Sequence, residues 1–190
     1  MTPARRRDAE RNRNRVIEAG IELLGRDPDA SILDVAEASG VGRTTFYRHF
    51  SDREDLVDTV LEEVLERARR ASAEVAADPS DPVDAIRRLS AVHLDIALRF
   101  GSLIQSRNGV STVVEAAKDA EMSPTRTFLE HARQAGTIRT DSPLAWQQTV
   151  MRVVTLTAVE QVEQGAIPRS DAHDLVAATL VAILVPPERG

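Results

Sequence analysis

Apolar residues recur along this chain at intervals of three and four, with no β-type alternation, so the pattern predicts helices throughout. Val16, Ile17, Ile21 and Leu24 mark the inner stripe of a first helix over about Ala9 to Gly25, ended by a loop containing Asp27-Pro28-Asp29. Apolar pairs at 56/57, 60/61 and 64/65 carry a long helix from about Asp52 to Ala77. Asp78-Pro79-Ser80-Asp81-Pro82 interrupts the repeat, and a further helix is expected from Pro82 to Phe100. Shorter helices fit 102–107, 110–120 and 124–135, with Gly136 as a stop. Two last helices fit 143–164 and 169–185, parted by Gly165 and Pro168. The fold class is all-α.

Between the first and the long helix the pattern tightens. Ser31 and Asp34 have the spacing of a capping box, and Ile32, Val35 and Ala36 give one apolar face to a short helix. Gly40 follows where a left-handed residue ends such a helix, and Val41 can fold back into a small core. A second short helix is expected from Arg43 to His49, with Phe46 and Phe50 at i and i+4 on its buried side. Ser51 and Glu54 are expected to cap the long helix. Phe46, Tyr47 and Phe50 are half of the chain's six aromatic residues. Two capped helices around a glycine turn form a helix-turn-helix, whose second helix enters the DNA major groove. Its outer face would present Arg43, Thr44, Thr45, Tyr47, Arg48 and His49, donors and planar cations suited to phosphate oxygens and base edges.

Residues 10–56 resemble the DNA-binding domain of the TetR (tetracycline-repressor-like) transcription regulators. The likeness rests on Val16, Ile17, Ala19, Leu23, Leu24, Val35, Ala36, Gly40 and Val41. It continues through Thr45, Phe46, Tyr47, His49, Phe50, Arg53, Glu54 and Leu56. Arg43 and Thr44 open the second short helix and are the expected base-edge contacts, while the resemblance implies phosphate contacts from Thr45, Tyr47 and His49. Arg48 is expected to reach either, with Ser31 and Arg53 clamping phosphates on both flanks. Two positions depart from the family pattern. Gly42 replaces a small hydroxyl residue before the recognition helix, a weaker cap. Gly20 stands where Ala is usual, which costs about 0.5–1 kcal/mol in a helix interior unless close packing requires it.

The chain's net charge of −6 is unevenly divided. Residues 1–15 hold six arginines against Asp8 and Glu10, a balance of +4. Residues 56–190 hold 14 basic and 19 acidic side chains, a balance of −5. Positive charge thus collects beside the helix-turn-helix, where a polyanion would lie. The chain has no cysteine, which removes disulfides and thiolate metal sites. The longest apolar run, Leu175 to Val185, is too short to cross a bilayer. With no signal peptide, a cytoplasmic location is expected.

The two last helices are apolar on more than one side. Val150, Val153, Val154, Leu156, Ala158 and Val162 spread around the first, and Leu175 to Val185 nearly encircles the second. Either these helices are wholly buried in their own domain, or a second copy of the chain covers them. The resemblance implies a homodimer through a four-helix bundle of the last two helices; Val154, Val162, Leu175, Thr179, Ala182 and Ile183 are the expected contacts. Such a dimer reads a palindromic operator with two heads. The resemblance also implies a small-molecule effector among the later helices, here a hydrophobic one. Candidate lining residues are His93, Phe100, Gln105, Met122, Phe128, His131, Trp146 and Met151, each of which could equally be core.

Catalysis finds no support. His49, His93, His131 and His173 have no metal-ligand spacing, and no nucleophile elbow, phosphate loop or dinucleotide fingerprint occurs. No cofactor or metal is expected. The expected organisation is a three-helix DNA-binding domain over 1–55, joined by a long helix to a helical-bundle effector-binding and dimerisation domain over 56–190. The expected function is a dimeric repressor released from its operator by the effector. A regulator controlled by a protein partner or by abundance is one alternative, and a helical-bundle enzyme or carrier is another.

Overall fold

The computed structural model describes residues 3–77, 81–108 and 123–187, with side chains from residue 7 onward and excepting 105–108. Among the described residues there are eight α-helices and no strand. They are α1 (Pro3–Leu24), α2 (Ile32–Ser39), α3 (Arg43–Phe46) and α4 (Arg53–Ala77). Then follow α5 (Pro82–Asn108), α6 (Pro124–Gln134), α7 (Leu144–Glu163) and α8 (Ala172–Leu184). The expected helix over 110–120 and Met122 lie outside the described residues. No described helix is long and apolar enough to cross a membrane.

Three boundaries differ from the sequence expectation. Helix α1 starts at Pro3, not near Ala9, because proline suits the first helical turn and the run behind it is rich in helix formers. Helix α5 runs unbroken to Asn108, so no separate helix spans 102–107. A lone glycine such as Gly101 weakens a helix without ending it. Helix α3 stops at Phe46 instead of His49, and the chain continues in turns closed by His49 N–H to the Phe46 carbonyl at 2.8 Å.

The chain forms two compact units, Met1–Glu66 with Arg99–Gly109, and Arg67–Leu98 with Val110–Gly190. The division by compactness therefore falls inside α4 and returns the end of α5 to the first unit.

In the first unit, α1, α2 and α3 pack against one another. Val16, Ile17, Leu24, Val35, Ala36, Val41, Phe46, Phe50, Leu56, Val57 and Val60 are all buried. Ser31 caps α2 as its spacing predicts. Its hydroxyl accepts from Asp34 N–H at 3.2 Å, and the Asp34 carboxylate accepts from Ser31 N–H at 2.8 Å. Gly40 ends α2 at φ 63° in the left-handed region. The cap of α4 is not the expected Ser51 and Glu54 pair. Asp52 accepts from Asp55 N–H at 2.8 Å, and the Asp55 carboxylate accepts from Ser51 N–H at 2.9 Å. Both roles shift one residue along, onto two Asp carboxylates whose charge is favoured beside the helix dipole.

Gly20 is required by packing. A Cβ there would lie 2.7 Å from Val60 Cγ2, inside any real contact distance. In the second unit, one core cluster joins Ile86, Leu89, Leu94, Phe128, Leu129, Met151, Val159, Val176, Leu180 and Leu184. Gln147 lies within it at 2% exposure and is fully engaged. It accepts from Arg133 Nη1 at 3.0 Å and donates to the Arg139 carbonyl at 2.7 Å. Arg139 N–H in turn donates to the Leu184 carbonyl at 2.8 Å, tying the α6–α7 connection to the end of α8.

Replacing Gly20 by Ala should therefore destabilise the protein despite the better helix propensity of alanine. Overpacking costs about 1–3 kcal/mol against a propensity gain of up to about 1 kcal/mol. A lower thermal midpoint is expected; a raised midpoint would show that Val60 yields freely.

Candidate nucleic-acid interface

Sequence dictates an unusual recognition element. Gly42 occupies the N-cap of α3 with no side-chain hydrogen bond, and the helix lasts one turn. Side-chain packing holds it instead. Phe46 and Phe50 are each 1% exposed, with ring centroids 5.5 Å apart. Tyr47 meets the Phe46 ring edge-on at 5.8 Å yet remains 50% exposed. Burying two rings at one side leaves Arg43, Thr44, Tyr47 and Arg48 exposed on the other, with Thr45 and His49 partly covered. These six expected contact residues therefore come together on one short surface.

The two flanking residues are placed differently. Ser31 is exposed but its hydroxyl is bonded within the α2 cap, also donating to Asp34 Oδ2 at 2.6 Å. Arg53 is half-buried and turned inward. Its Nε donates to the Ala30 carbonyl at 3.2 Å and its Nη2 donates to the Pro28 carbonyl. Its guanidinium thus braces the α1–α2 loop, and a phosphate could use only its remaining donors.

His49 has an unusual environment. Its Nε2 is buried without a hydrogen-bond partner. Desolvation first, then the positive charges of Arg48 and Arg13, hold its pKa below the ordinary histidine value. Arg13 reaches this point from α1, its guanidinium carbon 5.9 Å from the Phe50 ring centroid.

The expected effector residues do not line one described cavity. Phe128 and Met151 are buried in the core cluster. Phe100 is buried in the first unit beside Gly25 and the Arg99 guanidinium. His93 keeps part of its surface open, yet burial of the ring lowers its pKa. Gln105 lies in α5 with its side chain outside the described residues, and His131 is exposed. Trp146 is 61% exposed and borders an open cleft of about 280 Å³ with Arg139, Asp141, Gln147 and Ile183.

The expected dimer residues divide as well. Leu175, Ala182 and Ile183 are exposed and Thr179 is partly so, whereas Val154 and Val162 pack against the core cluster. The exposed apolar side chains on α7 are Trp146, Val153 and Leu156. Their spacing of seven and three residues was the available signal for an outward stripe.

A lowered histidine pKa makes protonation favour unfolding. The stability due to neutral His49 and His93 is complete above the ordinary value of about 6.5 and is lost as pH falls through it toward the folded values. Imidazole titrations followed by NMR should place both below 6.5, and His93→Gln should reduce the loss of thermal stability on acidification. A His49 midpoint above 6.5 would contradict the cation-rich environment.

The family model of bacterial regulatory proteins, tetR family, matches residues 16–60, which run from within α1 to the first third of α4. Along most of its length the chain is similar to the HTH-type transcriptional repressor LfrR of Mycolicibacterium smegmatis. The two are 27% identical over 177 residues, covering 93% of this chain and 92% of that one. The crystal structure of LfrR from Mycobacterium smegmatis in complex with proflavine superposes with a TM-score of 0.58 at 26% identity. It covers 93% of this chain and 98% of that one. Reduced NemR of E. coli shares the fold at a TM-score of 0.73 and 13% identity, covering 94% of this chain and all of that one (100%). Residues 16–60 thus match the tetR family of bacterial regulatory proteins, and the likeness to the transcriptional repressor LfrR runs along both units of the chain.

Proposed function

We propose that this regulator is a repressor that binds a pseudo-palindromic operator as a homodimer and leaves it when a small hydrophobic effector binds the second unit. The observation that carries the reading is the surface of α3 and its following turn. Arg43, Thr44, Tyr47 and Arg48 are exposed together over two buried phenylalanines. Arg43 and Thr44 occupy the first turn of α3, the part of a recognition helix that reaches base edges. Tyr47, with Thr45 and His49 beside it, suits the phosphate backbone, and Arg48 can serve either target. Ser31 and the remaining donors of Arg53 flank this surface.

TetR-family regulators bind DNA and act as dimers. In this chain α7 and α8 support dimerisation, because Val153, Leu156, Leu175 and Ile183 leave apolar area open on adjacent packed helices. A second copy would bury it with Thr179 and Ala182. Repression and effector release are supported by the likeness to LfrR, a repressor whose structure holds proflavine. TetR-family regulators are not enzymes.

A salt-controlled mobility-shift assay on a palindrome flanking the coding region, or one selected from a random pool, tests the reading. Arg43→Ala and Tyr47→Ala should each weaken binding at least about tenfold, since one good base contact is worth about 1–3 kcal/mol. Parental affinity in both variants would remove the recognition surface from α3. Leu175→Glu with Ile183→Glu should give a monomer by sedimentation and abolish the shifted band. A double variant that remains dimeric would move the interface elsewhere.

A further inference from the structure

The arginines of the first unit are not equivalent. Arg11 is paired with Asp8 and Arg26 with Glu22. Arg15 Nη2 donates to the Ser39 carbonyl at 2.7 Å, and Arg53 is bonded to the α1–α2 loop. Each of these side chains has its charge or donors occupied inside the unit. Arg13 is exposed, and among the described residues its guanidinium lies over the face of Phe50, a ring that offers no counter-charge. It stands close enough to His49 to act on that ring, as does Arg48. Arg13 from α1, held on the Phe50 ring, and Arg48 from the turn after α3 thus both act on His49, and both charges are positive. Such a group is costly in the free protein and is relieved by an anion.

We propose that Arg13 is a DNA-backbone contact supplied by α1, forming with Arg48 and His49 a seat for one phosphate of the duplex beside the recognition surface. The proposal rests on the DNA-binding reading above and adds to it a residue outside the helix-turn-helix. The Phe50 ring holds the guanidinium by cation–π attraction without consuming its N–H donors, so the side chain is already oriented when DNA arrives. The phosphate supplies the missing negative charge, and an Arg–phosphate bond is charge-assisted and frequently bidentate. A phosphate contact of this kind positions the head and is blind to sequence.

That blindness sets the test. Binding of the full-length protein to a random-sequence DNA duplex and to the selected operator is measured across a salt series, for the parent, Arg13→Ala, Arg13→Met, Arg13→Lys and Arg43→Ala. Loss of one phosphate contact lowers the slope of log affinity against log salt by about 0.9 per head. Arg13→Ala and Arg13→Met should show that decrease and weaken binding several-fold on both duplexes, while Arg13→Lys should retain most of the slope. Arg43→Ala should instead lose affinity mainly on the operator. Arg13→Met keeps an unbranched side chain against Phe50, so its thermal midpoint should match the parent. If Arg13→Met binds with the parental slope, or only variants with lowered midpoints bind weakly, Arg13 is a packing residue and the inference is overturned. A parent that binds neither duplex would overturn the DNA-binding reading itself, and the inference with it.

Discussion

A helix of one turn has no stability of its own, because helix nucleation fixes several residues for a single hydrogen bond. Helix α3 is that short, and its N-cap is a glycine with no side chain to accept from the first amides. What fixes its direction is the burial of Phe46 and Phe50 against the small core of the first unit. Full burial of a phenylalanine is worth about 1.5–3 kcal/mol, more than a lost cap costs. The surface of α3 is therefore set by side chains on its back. Every side chain proposed to meet DNA, from Arg43 to His49, inherits its position from those two rings.

The second unit meets a related constraint in the opposite direction. Helix α7 buries Gln147, Met151, Thr155, Ala158 and Val159, and exposes Val153 and Leu156. Its inner stripe thus contains amide and hydroxyl groups while its outer stripe contains branched apolar ones. The inner polar groups are satisfied locally. Thr155 donates to the Met151 carbonyl at 2.9 Å, and Gln147 is held between Arg133 and the Arg139 carbonyl. With those bonds made, burying them costs little. The outer face has no such compensation, and apolar area left in water favours cover by a partner.

This inversion explains where the sequence is legible and where it is not. The helix-turn-helix could be read closely because its signals are local: the Ser31 and Asp34 cap, the left-handed Gly40 and the Phe46/Phe50 spacing each act over a few residues. The end of α3 was not legible, since its length depends on a core formed by distant segments. Val154 and Val162 look like surface contacts on an apolar helix, but the packed register turns them to the core. Phe100 and Phe128 are both plausible pocket residues by type, yet they belong to different compact units. Residue type cannot distinguish a wall from a core when both are apolar.

Charge shows the same limit most sharply. By residue type Arg13 and Arg53 are identical, one in the basic first segment and the other at the start of α4. Their environments separate them. Arg53 lies within reach of two loop carbonyls, which satisfy its fork at short range. Arg13 faces an aromatic ring and, with Arg48, acts on His49. Phosphate affinity depends on cations whose charge is not already neutralised, because only those release counterions from the duplex on binding. A net charge of −6 is thus compatible with a DNA-binding protein. The acidic residues that produce it lie largely after residue 55, whereas Arg13, Arg43 and Arg48 are all exposed in the first unit. What matters electrostatically is the local inventory of unneutralised donors, and α1 contributes to it as directly as α3.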